Sequence, residues 1–185
     1  RTKATGESPN LKGLFSAGEA ACWDMHGFNR LGGNSVAETV VAGMIVGEYV
    51  ADYCAQNSLN VSTSTIQHFM KQEEKKITDI LVRDFGENPF ELKAEMQKIM
   101  MDKVGIFRNG DDLEKAVEEL KVLNQRAKHV ALRNRISSSN PELVEAIRVP
   151  KMIKLAQCVA YGAQLRTESR GAHAREDYLE RNDRD

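Results

Sequence analysis

The sequence predicts a mainly α chain, in which a short glycine-rich front leads into a helical bundle. Apolar residues recur at helical spacing through most of the stretch beyond Asn57. Asn88, Asn109 and Asn140 each stand just before a proline or glycine that opens such a stretch, as helix caps do. The glycines of the front cluster ahead of the first long apolar run, where loops and turns are expected.

Leu14-Phe15-Ser16-Ala17, bounded by Gly13 and Gly18, is expected to form a short buried strand. A helix is expected from Asn34 or Ser35; either can cap, and Glu38 stands three residues after Ser35, as a capping box requires. From Val36 to Gly47 that helix is apolar on nearly every face, which predicts burial all round. Gly43 and Gly47 leave one flank bare at a propensity cost of about 1 kcal/mol each, so close approach of another backbone or a cofactor is expected there.

Ile66, Phe69, Met70, Ile77, Ile80 and Leu81 define an amphipathic helix with Lys71 to Lys76 on its solvated face. Asn88-Pro89 opens a second, with Leu92, Met96, Ile99, Met100 and Val104 inside; methionines there fill the core rather than ligate. Asn109-Gly110-Asp111 starts a third, whose stripe is Leu113, Ala116, Val117, Leu120, Leu123, Ala127 and Val130. Asn140-Pro141 begins a fourth, with Leu143, Ile147, Leu155 and Val159 as the expected inner face and a kink or break at Pro150 near Val149. The tail from Thr167 to Tyr178 is dense in charge, and Arg170, His173 and Arg175 are assigned to packing and ion pairing. His68 and His129 are expected to be exposed.

The 26 basic and 27 acidic residues leave a net charge of -1, so no nucleic-acid partner is implied. Cys22, Cys54 and Cys158 are far apart and form no disulfide or zinc pattern, and no metal site is expected. The run from Val36 to Val50 is broken by Glu38 and Glu48 and is too short to span a bilayer. The chain opens on Arg1 rather than methionine, and an internal piece of a longer protein is expected.

Function is sought in the front, where a lone arginine sits in a glycine loop just ahead of a helix N-terminus, a place that offers backbone N–H groups to an anion or cofactor. Gly13-Leu14-Phe15-Ser16-Ala17-Gly18-Glu19, followed by His26-Gly27-Phe28-Asn29-Arg30-Leu31-Gly32-Gly33-Asn34-Ser35, resembles the second flavin-binding signature of the succinate dehydrogenase and fumarate reductase flavoprotein subunits. The tail from Arg166 to Tyr178 is similar to a further signature of that family, with Leu179 where proline is usual. Within the family, Ala20 to Arg30 most resembles the quinol:fumarate reductase branch.

The resemblance implies the end of an FAD-binding α/β domain (1–57), a helical bundle domain (58–166) and the start of a C-terminal segment (167–185). It implies FAD as cofactor, contacted by Glu19, Asn34, Ser35 and Val36, Asn34 through its backbone N–H. Arg30 is implied as the catalytic arginine that binds a carboxylate of fumarate or succinate. The family's reaction is hydride transfer from flavin to fumarate, with electrons reaching the flavin from quinol through an iron–sulfur subunit and a membrane anchor cytochrome subunit. The flavoprotein is peripheral, on the cytoplasmic face of the inner membrane. The N-terminal GxGxxG fingerprint, the histidine that tethers the flavin and the proton-donating arginine of the capping domain are not among these residues, so the chain alone is expected to be inactive. A succinate dehydrogenase, an L-aspartate oxidase, or a non-catalytic helical interaction module using residues 61–165 remain as alternatives. Read from hydrogen bonding alone, His26 is structural, and Glu19 can equally cap a turn.

Overall fold

The computed structural model describes residues 2–3, 10–21, 24–26, 29–58, 60–136 and 138–180. Cys22 and the Gly27-Phe28 step of the loop motif lie outside them. The chain divides into two compact units, Arg1–Ser62 and Thr63–Asp185.

In the first unit, β1 (Thr2–Lys3) pairs antiparallel with β2 (Asn10–Leu11), and α1 runs over Asn34–Gln56. The expected strand at Leu14–Ala17 is not formed. That segment forms no regular element, and the Leu14 N–H closes a turn on the Leu11 carbonyl instead. A strand needs a partner ladder, and none is offered among the described residues. Phe15 packs edge-on against Tyr53 of α1, with ring centroids 5.6 Å apart.

The expectation that α1 is buried all round also fails. Val36 is 71 % exposed, Val40, Val41, Met44 and Ile45 are exposed, and only Glu38 is buried. Among the described residues no neighbour stands within 4 Å of where a side chain at Gly43 or Gly47 would begin, so no backbone of this unit makes the close approach expected there. A helix apolar on every face needs partners on every face, and within this unit the short 3-10 turn Gly18–Ala21 covers just one part of it.

The second unit comprises α2 (Thr63–Val82), α3 (Pro89–Lys103), β3 (Phe107–Arg108), α4 (Gly110–Arg126), α5 (Pro141–Leu165) and β4 (Ala174–Arg175). Helices α3, α4 and α5 pack mutually around Leu92, Leu113, Leu120, Leu123, Val149 and Ile153, all essentially inaccessible to solvent. Complete burial of each leucine contributes roughly 1.5–3 kcal/mol. In α4 the predicted stripe is buried throughout, from Leu113 to Leu123 and on into Ala127 and Val130. In α2 only Ile80 and Leu81 pack on this core, and Ile66, Phe69, Met70 and Ile77 are exposed.

All three asparagine caps are formed. Asn88 accepts from the Phe90 and Glu91 N–H groups, Asn109 from Asp112 and Asn140 from Leu143. Asn140 is also buried, and its amide donates to the Asn134 and Ile136 carbonyls. Asn88→Ala is therefore expected to cost about 1 kcal/mol, and Asn140→Ala about twice that because those carbonyls lose their donor. Urea titration of both variants checks the order; equal losses would show that the Asn140 amide bonds contribute nothing.

Helix α5 corrects two expectations. It runs unbroken through Pro150, and its inner face is Ala146, Val149, Ile153, Ala156, Ala160 and Ala163 rather than the larger residues. Leu155 is 66 % exposed and Val159 is exposed as well, while Leu143 packs on the core edge. The buried positions alternate steps of three and four, so α3 and α4 hold one continuous face on both sides of the proline. That packing offsets the hydrogen bond Pro150 cannot donate.

Candidate functional site

Within the first unit, the residues singled out by sequence converge on the N-terminus of α1. Gly18 makes that possible: its backbone is left-handed (φ 67°), and a β-carbon there would stand 2.9 Å from Thr39 Oγ1 of α1. Only glycine can bring the 3-10 turn this close to the helix, and the turn carries Glu19. The Glu19 carboxylate lies 3.8 Å from Arg30 Nη1, with a side chain 82 % exposed, a loose contact that solvent screens.

The better-held partner of Arg30 is Glu38. Its Oε2 accepts from Arg30 Nε at 3.4 Å and meets His26 Nε2 at 3.3 Å, and the residue is 6 % exposed. The expected capping box is thus replaced. The N-cap is Gly33, left-handed at φ 81°, with no side chain capping the helix, and Glu38 turns to the arginine and histidine instead. A full ion pair is the stronger attraction for a buried carboxylate. Arg30 is held at its other end too, its backbone N–H donating to Asn29 Oδ1 at 2.9 Å.

Asn34 is the first residue of α1, and its N–H donates to the Leu31 carbonyl at 3.1 Å. The backbone contact expected of Asn34 is therefore already committed to the turn. Ser35 and Val36 follow, their N–H groups pointing out of a helix end that no side chain caps. Such an end carries roughly half a positive charge. Among the described residues, no neighbour stands within 4 Å of a β-carbon added at Gly32 or Gly33. An uncapped helix end with bare backbone before it fits a planar anionic ring edge, so the donor set present suits one edge of a flavin. Beside it, Met25, His26, Asn34, Glu38 and Val41 line an open cleft of about 550 Å³.

Sequence reasoning missed Glu38 as the partner of Arg30. The signal was there: a lone carboxylate, one turn into a run of small apolar residues, needs a cation. Among the described residues, no group of three or more histidine, cysteine or carboxylate side chains could hold a metal ion, and no helix is long and apolar enough to cross a membrane. Cys54 and Cys158 are unpaired thiols, both exposed.

In the second unit, the predicted ion-paired tail is observed. β4 pairs parallel with β3, and His173 and Arg175 are buried. Arg108 Nη1 donates to His173 Nδ1 at 2.7 Å, and His173 Nε2 donates to the Arg166 carbonyl at 2.9 Å. Across α3 and α4, Arg126 bonds Glu87 and Glu95, and its hydrogen bond holds the Glu87 carboxyl below the usual range.

Comparison with known proteins matches residues 93–185 to the fumarate reductase flavoprotein C-terminal family and residues 1–36 to an FAD-binding domain family. The fumarate reductase flavoprotein subunit of Helicobacter pylori is 49 % identical over 183 residues, covering 99 % of this chain and 26 % of that protein. The Bacillus subtilis succinate dehydrogenase flavoprotein subunit is 35 % identical over 177 residues, 94 % of this chain and 30 % of its own length. A solved quinol fumarate reductase of E. coli superposes with a TM-score of 0.83 at 35 % identity, over 94 % of this chain and 30 % of that one. The chain spans about a quarter of the length of the curated relatives it matches.

Proposed function

The chain belongs to the fumarate reductase and succinate dehydrogenase flavoprotein family, and from that premise we propose that it is the dicarboxylate-binding and flavin-contacting part of a quinol:fumarate reductase flavoprotein subunit. The observation that carries this reading is the convergence of Arg30, Glu19 and the uncapped N-terminus of α1. Residues 1–57 are read as the end of the FAD-binding domain, 58–166 as the helical bundle domain and 167–185 as the start of the C-terminal segment. The apolar, exposed faces of α1 support a larger surrounding body.

Glu19, Ser35 and Val36 would hold the FAD, with Asn34 setting the turn that presents them. When bound, the flavin supplies the hydride for one alkene carbon of fumarate. Arg30 grips a carboxylate through parallel N–H bonds and orients the alkene for attack. Its fixed positive charge also stabilises the negative charge that develops towards that carboxylate. The α1 N-terminus favours negative charge on the ring edge it faces. The proton for the second carbon comes from a residue beyond this chain, as does the dinucleotide cradle. Electrons arrive from quinol through an iron–sulfur subunit and a membrane anchor subunit, with this flavoprotein peripheral on the cytoplasmic face of the inner membrane.

The test is catalytic. The full-length flavoprotein, loaded with FAD, is expected to reduce fumarate with an artificial low-potential electron donor, while the 185-residue chain alone is not. Loaded full-length protein that leaves fumarate untouched would overturn the reading, and turnover by the isolated chain would show that the proton donor lies within it.

A further inference from the structure

Glu38 is the buried residue of a helix that is otherwise exposed, and its carboxylate meets the guanidinium of Arg30 at the Nε edge. A guanidinium can present a carboxylate with either its side edge, Nε and one terminal nitrogen, or its end, the two terminal nitrogens. Glu38 occupies the side edge at 3.4 Å, whereas the partner seen for the terminal Nη1 among the described residues is an exposed Glu19 at 3.8 Å. The arginine sits in a glycine loop and its side chain carries roughly 2 kcal/mol of rotamer entropy. Glu38 sits within the hydrogen-bonded helix, so its own position is fixed by backbone geometry.

We propose that Glu38 is a positioning residue: it anchors the Nε edge of Arg30 so that the terminal nitrogens grip the dicarboxylate end-on. His26 meets the same Oε2 at 3.3 Å and helps to hold the carboxylate. This rests on the reading of Arg30 as the carboxylate-binding arginine. Charge alone makes the opposite demand. An anion beside the site repels a dicarboxylate, so a Glu38 acting only through its charge would weaken binding, and neutralising it would tighten binding. A Glu38 acting through position does the reverse.

The experiment uses the full-length, FAD-loaded protein carrying Glu38→Gln or Glu38→Met, with malonate as a non-reacting dicarboxylate. Malonate dissociation constants are read from perturbation of the flavin spectrum, beside flavin content and the KM and kcat for fumarate. Glu38→Gln keeps an acceptor of the same length without the charge, and Glu38→Met removes the acceptor. The expected result is a graded loss of malonate affinity, roughly tenfold or more for Glu38→Met and less for Glu38→Gln. KM should rise in step, with flavin content and the resting flavin spectrum unchanged; a merely structural role would disturb the flavin as well. Unchanged or tighter malonate binding in either loaded variant overturns the proposal, and Glu38→Gln decides alone if Glu38→Met does not fold. Arg30→Met separates the two readings. If it binds malonate normally, the carboxylate reading falls and this proposal with it. If it loses malonate while the Glu38 variants keep it, only the positioning role falls.

Discussion

Arg30→Lys is expected to cut fumarate turnover in the full-length flavoprotein by about a hundredfold, with FAD still bound. Lysine keeps the positive charge but replaces two parallel donors in one plane with a single point of attraction. It also has no Nε to be anchored by Glu38, which in the present arrangement takes that nitrogen at 3.4 Å. The substrate would then be held but not oriented, and small misplacements of a reacting carbon are costly. Steady-state kinetics with flavin content measured alongside decides the matter. Loss of kcat/KM with full flavin occupancy fits a residue that acts on the substrate, while near-normal turnover would remove Arg30 from the site. Loss of flavin together with activity would place Arg30 in the cofactor's support instead.

The front of the chain could be matched to a family motif but was poorly legible as structure. Arg30 was singled out by the two family signatures; taken alone, an arginine in a glycine loop is more often a salt-bridge partner, and here it does pair with Glu38. Its surroundings followed different rules from those the local pattern suggests. Ser35 and Glu38 have capping-box spacing, but the left-handed Gly33 starts the helix one residue before Asn34, and Glu38 is drawn to two cationic or hydrogen-bonding partners instead. Leu14–Ala17 has strand composition, but a strand is a property of a pair.

The helical bundle was read well where one face was large and apolar and the other charged, as in α4. It was misread in α5, where both faces are apolar and the side chain volumes mislead. Leu155 and Val159 look like core, yet the helix turns its alanines inward because small residues let α3 and α4 approach along its whole length. Helix α1 makes a related point. Its sequence reports the surroundings of a helix in a larger body, and the first unit by itself provides few of them. Periodicity locates a helix; whether it continues through a proline and which face turns inward depend on partners distant in sequence.

Arg175→Met is expected to destabilise the helical unit by about 1–3 kcal/mol, the cost of leaving the carbonyls at the end of α5 without their donor, while the partly exposed Asp177 carboxylate returns to water. Arg175 is 3 % exposed. Its Nε and Nη2 each bond a different oxygen of Asp177 at 2.7 Å, and its Nη1 donates to the Ala163, Gln164 and Arg166 carbonyls at the end of α5. Asp177 in turn accepts from the Gly110 N–H at the start of α4. One ion pair thus places a cation at the C-terminus of α5 and an anion at the N-terminus of α4, each where the helix dipole favours it. The ring of Tyr178 packs on the guanidinium at 4.9 Å. The hydrogen bond from Arg175 pulls the Asp177 carboxyl down from 3.8 to about 2. A depressed carboxyl contributes stability that is complete above its unfolded value and is lost as pH falls through its folded one. The clamp should therefore be intact at pH 5 and weaken between about pH 4 and pH 2. Urea unfolding of the wild type, Arg175→Met, Asp177→Leu and the double variant tests both statements. The double variant is expected to lose less than the two single losses combined, and the single variants should show less acid sensitivity than the wild type across that window. Strict additivity would mean that the two residues act separately and that the α4–α5 clamp is not a unit.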